Sequence, residues 1–356
     1  MTSAARPAAW LLALGLLALP ACGRAPQATL STSTSEARWS LEGAVMGTTW
    51  HARGGLAPGT DLALVLRELQ ASLDRIDALM STWSPASELS RFNAGPGGAP
   101  FPVSEETATV VEAALALAAA SGGAFDPTVM PLVDLWGFGP AGREVAAPDE
   151  DALAAAMADT GWERIRVDRP ADGPPTLWKE SDALGLDLSA IAKGFGVDQA
   201  CAALDRLGIE DYMVEVGGEL RCKGTAAEGR AWRIGIDAPR EGALPGASLQ
   251  TVLAPGDRAV ATSGDYRNWR EVDGVRLSHT IDPRDGRPTA HALASVSILA
   301  ADCMTADALA TACMTLGPDG ALELVEATAG AEALLVVRVD EDFASRRSSG
   351  WPDPED

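Results

Sequence analysis

The chain has few of the residues from which many common functional sites are built. Among its 356 residues are only three histidines and five cysteines, and no two cysteines have the C-x-x-C spacing of zinc ribbons and redox centres. Acidic residues outnumber basic ones by 50 to 28, which gives a formal charge of −22. Because such a surface repels a phosphate backbone, general nucleic-acid binding is disfavoured. A zinc site is disfavoured by the scarcity of its ligands.

Common catalytic signatures are absent as well. The sequence contains no G-x-x-x-x-G-K-[ST] phosphate loop, no G-x-G-x-x-G opening a helix, no H-E-x-x-H and no G-x-S-x-G. Hydrophobic residues nevertheless make up 47% of the chain, too many for a disordered protein. The length corresponds to one large domain or two modest ones. We therefore expect a folded protein whose chemistry is carried by less common motifs.

One apolar run stands out, at residues 8–19. Its twelve residues are fewer than the roughly 20 that a helix needs to span a bilayer. The run follows Arg6 and precedes Pro20-Ala21-Cys22, which is the pattern of a secretory signal with a small residue at its cleavage site. Because a cysteine follows Ala21, residues 1–21 resemble a bacterial lipoprotein signal, after whose removal the Cys22 thiol is lipidated. An ordinary signal peptide is the alternative.

Composition divides the rest of the chain into three parts. Residues 22–39 are mostly small and polar, which predicts a flexible tether. Residues 340–356 are acidic and contain two prolines, which predicts a disordered tail. Between them no stretch has the composition of a linker, so residues 40–339 are expected to form one domain.

Hydrophobic periodicity predicts an α+β fold for that domain. Apolar residues at steps of three and four predict a helix over 62–80, and Ser104 is a suitable N-cap for a helix that ends near 120. Further helices are predicted at 149–159, 305–316 and 319–327, and strands at 232–237, 294–299 and 333–337. Because strands and helices are unevenly spaced, the pattern favours α+β over a doubly wound parallel sheet.

The segment 302–311 is a candidate metal site. Asp307 and Thr311 are four residues apart, so a helix places the carboxylate and the hydroxyl on one face. Oxygen ligands of this kind suit Mg²⁺, which usually keeps phosphate oxygens in its coordination shell. The alternative is a surface helix whose threonine hydroxyl bonds its own backbone.

Two further segments offer charged groups. In 186–198 an apolar strand ends in Asp187 and a helix begins that carries Lys193 in its first turn, where it can contact a phosphate; a capped helix with a solvated lysine is the alternative. In 278–288 His279 follows a predicted strand and is a candidate base, since it titrates nearest neutrality. It could instead be a structural histidine that bonds a loop carbonyl.

Several loops have the composition of ligand-binding segments. Residues 121–128 and 261–267 combine glycine, aspartate and hydroxyl side chains, which lets a loop approach a ligand closely. Trp83, in the segment that follows the first long helix, could stack on a flat ring. The alternative for Trp83 is a half-buried anchor of its loop.

Taken in order, these segments resemble the ApbE family, the FAD:protein FMN transferases, many of which are periplasmic lipoproteins. The resemblance extends from about residue 45 to 315. The motifs that carry it are MGTTW (46–50), MSTWSPASELSRFN (80–93), SGGAFDPTVMPLVDLWGFG (121–139), LDLSAIAKGFGVD (186–198), VEVGGELRCKG (214–224), ATSGDYRNW (261–269), SHTIDPRDGRP (278–288) and ADALATA (306–312).

The resemblance implies one α+β unit with FAD in a cleft between two sub-structures. The positions that match FAD-contacting residues of the family are Met46, Trp83, Ala124, Phe125, Asp126, Asp187, Lys193 and Ile281. Asp307 and Thr311 match side-chain ligands of Mg²⁺, and Ala190 matches a ligand that acts through its backbone carbonyl.

Two departures from the family pattern stand in these motifs. Family members usually have Gly-Gly where Ser189-Ala190 stands, and often tyrosine at the positions of Trp83 and Phe195. A carbonyl ligand survives the change from glycine to alanine where the backbone angles allow it, and tryptophan keeps the stacking surface of tyrosine. Neither change removes a charge that the chemistry needs.

The implied reaction is Mg²⁺-dependent transfer of the FMN moiety of FAD to a threonine hydroxyl of a target flavoprotein, with release of AMP. Lys193 and Asp307 would stabilise the diphosphate, the second through Mg²⁺, and His279 would accept the hydroxyl proton. The expected partners are periplasm-exposed flavoproteins such as membrane electron-transport subunits, near which a lipid anchor on Cys22 would hold the enzyme. The alternatives are a Mg²⁺-dependent FAD pyrophosphatase and an FAD-binding lipoprotein without chemistry.

Overall fold

The computed structural model describes residues 27–32, 37–56, 58–139, 147–240, 242, 244, 246–265, 269–272, 275–340 and 342–353. The predicted signal peptide and Cys22 lie outside these residues. Within them, no helix combines the length and the hydropathy needed to cross a bilayer.

Seven helices are present in the described part of the chain: α1 (Leu62–Met80), α2 (Glu88–Ala94), α3 (Glu105–Ala120), α4 (Met130–Leu135), α5 (Glu150–Ala158), α6 (Ala192–Arg206) and α7 (Cys303–Glu326). The strands are β1 (Gln27–Thr32), β2 (Ala37–Val45), β3 (Thr48–Gly55), β4 (Phe101–Pro102), β5 (Ile165–Asp168), β6 (Thr176–Lys179), β7 (Tyr212–Val216), β8 (Glu219–Lys223), β9 (Ile234–Asp237), β10 (Leu249–Leu253), β11 (Ala259–Gly264), β12 (Trp269–Val272), β13 (Val275–Ser278), β14 (Ile281–Asp282), β15 (Arg287–Pro288), β16 (Leu293–Ala300), β17 (Glu332–Val339) and β18 (Asp342–Arg347).

Nine of these strands form one sheet in the order β1-β2-β3-β7-β8-β11-β16-β17-β18, and each neighbouring pair is antiparallel. The predicted α+β class is confirmed. Every residue of β16 is buried, because both faces of the sheet are covered there. Even its two polar residues, Ser295 and Ser297, are buried, and the Ser297 hydroxyl lies 2.8 Å from that of Thr262 on β11.

Helices α1, α6 and α7 cover one face of the sheet and hold most of the hydrophobic core. The approach of α6 to α7 depends on Gly194, because a Cβ built at this position would lie 2.8 Å from Cβ of Asp307 and still closer to the Cys303 carbonyl. The start of α7 is also tied to α6, since the Asp198 carboxylate accepts the backbone N–H of Cys303 and of Met304, each at 2.9 Å. These contacts fix the position of α7 relative to α6.

A smaller core lies apart from this body. It consists of Leu132 and Trp136 from the α4 region, Leu153 of α5 and Ile281 of β14. The indole N–H of Trp136 donates to the Gly286 carbonyl at 2.7 Å, which joins α4 to the turn between β14 and β15. This small unit faces the main body across the cleft described below.

The predicted local elements are mostly found where the sequence places them. The helix predicted at 62–80 matches α1, and the Ser104 hydroxyl caps α3 by accepting the Thr107 N–H at 3.2 Å. The helices predicted at 305–316 and 319–327 are both found, as the two parts of α7. In α7 the backbone kinks at Gly317, whose φ is 75°, and resumes at Pro318.

The structure differs from the prediction at both ends of the domain. The predicted tether, 22–39, contains β1 and the start of β2, which pair with each other along the full length of β1. The predicted disordered tail, 340–356, contains β18, and after it Trp351 is only 8% exposed. All residues of β18 face solvent at the sheet edge, so their polar composition fits an edge strand as well as a disordered segment. Trp351 packs on the second face of the sheet with residues of β8, β9 and β16.

Candidate functional site

A cleft of about 820 Å³ lies between the small unit around α4 and the helical face of the main body. The sequence-predicted residues that line it come from loops and elements spread along most of the domain. They are Trp83, Ala124, Phe125, Asp126, Asp187, Ala190, Lys193, His279, Ile281, Asp307 and Thr311. The fold thus brings into one cavity nearly all positions that the sequence singled out.

Met46 is the exception, because it lines an adjoining cavity of about 580 Å³. The two cavities share five lining residues, Thr82, Trp83, Asp187, Ser189 and Lys193. Met46 sits in the turn between β2 and β3 with a left-handed φ of 49°. Trp83, at the boundary of the two cavities, is 76% exposed, so it is not the half-buried anchor of the alternative interpretation.

At the base of the cleft Lys193 contacts two acidic side chains from different elements. Its ammonium lies 3.4 Å from both carboxylate oxygens of Asp307 on α7 and 3.7 Å from Glu219 Oε1 on β8. It also donates to the Ser189 carbonyl at 3.1 Å. Asp307, only 2% exposed, accepts a further hydrogen bond of 2.9 Å from the Gly194 N–H. Lys193 is therefore held inside the cleft and is not a solvated surface lysine.

The charges of this cluster act on one another strongly. Burial alone lowers the pKa of Lys193, but the negative charges of Asp307 and Glu219 outweigh it and raise the pKa above its ordinary value. Lys193 therefore keeps its positive charge. Burial raises the pKa of Glu219 to about 8, although the charge of Lys193 opposes this rise.

Glu219 was not singled out from the sequence. It lies in the motif VEVGGELRCKG, directly after the Gly-Gly turn that joins β7 to β8. Its Oε2 is buried and has no hydrogen-bond partner within the described residues, and the residue lines the cleft. A carboxylate that follows a Gly-Gly turn at the end of an apolar strand is the signal that could have identified it.

The donors around Asp307 fit a hard divalent cation. No group of three or more His, Cys, Asp and Glu side chains among the described residues is arranged to hold a metal. Asp307, Thr311 and Ala190 nevertheless line one cleft, together with the unpartnered oxygen of Glu219. A carboxylate, a hydroxyl and a backbone carbonyl are all oxygen donors, which is the set that Mg²⁺ takes when phosphate oxygens complete its shell.

The loops around Asp126 and Asp187 form another wall of the cleft. Asp126 accepts the Thr128 N–H and hydroxyl at 2.7 and 2.6 Å, and burial raises the pKa of its carboxyl. Asp187 accepts the Ser189 N–H at 2.9 Å and donates its own N–H to the Pro127 carbonyl at 2.7 Å. The two predicted segments 121–128 and 186–198 are thus bonded directly to each other.

His279 reaches the cleft from the loop between β13 and β14. This loop is fixed by the Ser278 hydroxyl, which accepts the Thr280 N–H at 3.1 Å, and by the Thr280 carbonyl, which accepts the Thr289 N–H at 3.0 Å. The structure therefore places the one candidate base of the sequence in the same cavity as Lys193 and Asp307.

Comparisons with known proteins all point to one family. Residues 46–335 match the model of the ApbE family. The chain is 42% identical over 344 residues to a Vibrio cholerae protein named FAD:protein FMN transferase, with 96% of this chain and 97% of that protein covered. An Escherichia coli K12 protein of the same name is 37% identical over 337 residues, with 94% and 92% covered.

Solved structures give the same result. The flavin transferase ApbE from Vibrio cholerae superimposes with a TM-score of 0.79 at 42% identity, covering 88% of this chain and 98% of that one. The apo form of the flavinyl transferase ApbE from Pseudomonas stutzeri has a TM-score of 0.79 at 37% identity, covering 91% of this chain and 96% of that one.

Proposed function

The chain belongs to the ApbE family, and from this premise we propose that it is an enzyme that transfers the FMN part of FAD to a protein. Relatives that it matches over nearly their whole length are named for this transfer. One observation carries the proposal for this chain: the candidate diphosphate-binding group Lys193, the acidic residue Asp307 and the candidate base His279 line a single cleft.

In the proposed reaction a threonine hydroxyl of the target protein attacks the phosphorus of the FMN half. The bond from this phosphorus to the oxygen of the AMP half breaks, and a phosphoester to the threonine forms. His279 accepts the hydroxyl proton. Lys193 binds the diphosphate, whose charge has to be stabilised in any phosphoryl transfer. Because the partner supplies the nucleophile, the chain itself needs no serine or cysteine triad.

We propose that Asp307, Thr311 and the Ala190 carbonyl hold Mg²⁺, which supplies neutralisation of phosphoryl charge and a template for the diphosphate. Trp83, exposed at the boundary of the two cavities, offers a flat face for the flavin ring. Asp126, Asp187 and Ile281 form walls around the bound FAD. These roles rest on the family motifs and on the shared lining of the cleft.

The location of the enzyme is also a proposal, supported by the N-terminal sequence. Residues 1–21 would be removed as a lipoprotein signal, and Cys22 would carry the lipid. The enzyme would then face the periplasm beside membrane flavoproteins that need covalent flavin. No nucleic acid is expected as a partner, because the chain is strongly acidic.

The test mixes the purified chain with FAD, Mg²⁺ and an exported candidate flavoprotein, and follows covalent flavin fluorescence on a denaturing gel. We expect a fluorescent band that requires Mg²⁺ and is lost when the acceptor threonine is changed to valine. AMP should appear in equal amount with labelled acceptor. Equal AMP release without any acceptor would contradict a transferase and identify an FAD pyrophosphatase.

A further inference from the structure

The segment that carries Asp187 reaches the cleft without belonging to any sheet. Its backbone is paired with a side chain instead of a neighbouring strand. The N–H of Leu186 donates to Asn93 Oδ1 at 2.8 Å, and Asn93 Nδ2 donates to the Leu186 carbonyl at 2.8 Å.

Lys179 fastens the same segment from the other side. It is completely buried at the end of β6, and its ammonium donates to the carbonyls of Asn93, Leu184 and Asp182 at 2.7, 2.9 and 3.3 Å. A buried ammonium is costly unless its hydrogens are bonded, and here all three have acceptors. Lys179 therefore joins Asn93 to the start of the Asp187 segment.

Helix α2 carries Asn93 near its C-terminal end. The N-terminal end of the same helix is bonded to the loop that carries Trp83. The hydroxyls of Ser87 and Ser90 both donate to the Ser81 carbonyl, at 2.6 and 3.0 Å. One short helix is thus bonded to two walls of the candidate site, the loop of Trp83 and the segment of Asp187.

We propose that Asn93 and Lys179 are positioning residues of the FAD site, which hold Asp187 and the following turn with Ala190 in place from behind. Neither side chain lines either cavity, so neither touches the substrate. The proposal rests on the proposed function, in that FAD is taken as the ligand of the cleft.

The test compares Asn93→Ala with the wild-type chain and with Ser348→Ala. The control removes a buried hydroxyl that accepts the Ala333 N–H of β17 at 2.8 Å, outside both cavities. Asn93→Ala should raise the Kd for FAD, measured without Mg²⁺, by about tenfold, because two backbone groups of Leu186 lose their partner. The KM for FAD should rise in parallel, and the amides of residues 186–189 should exchange hydrogen faster.

Two further variants sharpen the test. Asn93→Asp keeps an acceptor for the Leu186 N–H and should restore part of the FAD affinity, whereas Lys179→Met should weaken it as Asn93→Ala does. The proposal is overturned if Asn93→Ala lowers the melting temperature, as Ser348→Ala does, yet leaves both the Kd and the exchange of residues 186–189 unchanged. If the wild-type chain does not bind FAD, the proposed function fails instead. Faster exchange in Asn93→Ala would then still support the positioning of this segment.

Discussion

The ammonium of Lys193 forms ion pairs with both Asp307 and Glu219. The net charge of this cluster determines how the cleft can accept a diphosphate. Asp307 alone offsets the charge of the ammonium, so the cluster offers no surplus positive charge, whichever form Glu219 takes. A diphosphate therefore needs further positive charge at this point, which a divalent cation beside Asp307 would supply. Local groups, and not the net charge of −22, determine the ligand.

Asp307→Ala should abolish flavin transfer at ordinary Mg²⁺ concentrations. Loss of a metal ligand removes several kcal/mol of transition-state stabilisation, which is at least about a hundredfold in rate. The measurement is covalent flavin transfer as a function of Mg²⁺ concentration, with metal binding followed separately by calorimetry. Asp302→Ala is a matched control, because Asp302 caps the same helix by accepting the Thr305 N–H at 2.8 Å and lies outside the cleft. A fully active Asp307→Ala enzyme would contradict the assignment of Asp307 as a ligand of Mg²⁺.

His279→Ala should lose transfer while it retains FAD binding. A positioned general base contributes roughly 10²–10⁴-fold in rate, whereas FAD would keep Lys193 and the remaining walls of the cleft. Transfer rates between pH 6 and 9 and the Kd for FAD separate the two effects. His51→Ala serves as a control, because His51 bonds Glu215 at 2.8 Å on the surface of the sheet. If His279→Ala transfers flavin at the wild-type rate across neutral pH, the base lies elsewhere.

At the scale of elements, the kink in α7 is stabilised by a side chain that lies far away in the sequence. Pro318 has no N–H, so the carbonyl of Met314 has no partner in the helix. His291 Nε2 lies 2.7 Å from that carbonyl and donates to it, while Nδ1 accepts the Leu293 N–H at 3.3 Å. Because Met314 and Thr315 line the cleft, this contact also fixes one of its walls.

His291→Ala should lower the free energy of unfolding by about 1–3 kcal/mol, because it leaves the Met314 carbonyl without its donor. The measurement is denaturant unfolding at pH 7.5. The comparison requires that the free energy of unfolding depends on denaturant concentration with the same slope in both proteins. His51→Ala, which removes a half-buried histidine at the sheet surface, should change stability by less than about 0.5 kcal/mol. A His291→Ala protein as stable as the wild type would show that the carbonyl finds another partner, for example water.

The elements that could be predicted from sequence are those whose signals are local. Apolar residues that recur every three or four positions predicted α1. A serine followed by two glutamates predicted the start of α3. The edge strands β1 and β18 were missed, because the polar sequence of a strand at a sheet edge resembles that of a disordered segment. The two parts of α7 were predicted as separate helices, which agrees with the non-helical backbone at Gly317 and with the Gly317-Pro318 pair that ordinarily ends a helix.

At the scale of the whole molecule, the site is assembled from contacts that no local pattern encodes. The segments of the family motifs contain nearly all residues that line the cleft, but they gave no distances. Asp198 could not be identified as a partner of the first N–H groups of α7, nor Asn93 as the partner of Leu186, because each pairs with backbone about one hundred residues away. Such pairings depend on how the sheet orders its strands, and that order follows from packing both of its faces.

The position of β1 makes a prediction about the proposed anchor. Only four residues separate Cys22 from Gln27, and a chain extends at most about 3.6 Å per residue, so the sheet edge would lie within roughly 18 Å of the lipid. We expect Cys22→Ser to move the protein from the membrane fraction to the soluble fraction with unchanged transfer to a soluble acceptor. Cys201→Ser, which alters a buried thiol of α6, should stay with the membrane. A Cys22→Ser protein that still sediments with membranes would contradict the lipid anchor. If this variant fails to transfer flavin to membrane acceptors but still transfers it to a soluble acceptor, the short tether directs the enzyme to the membrane acceptors.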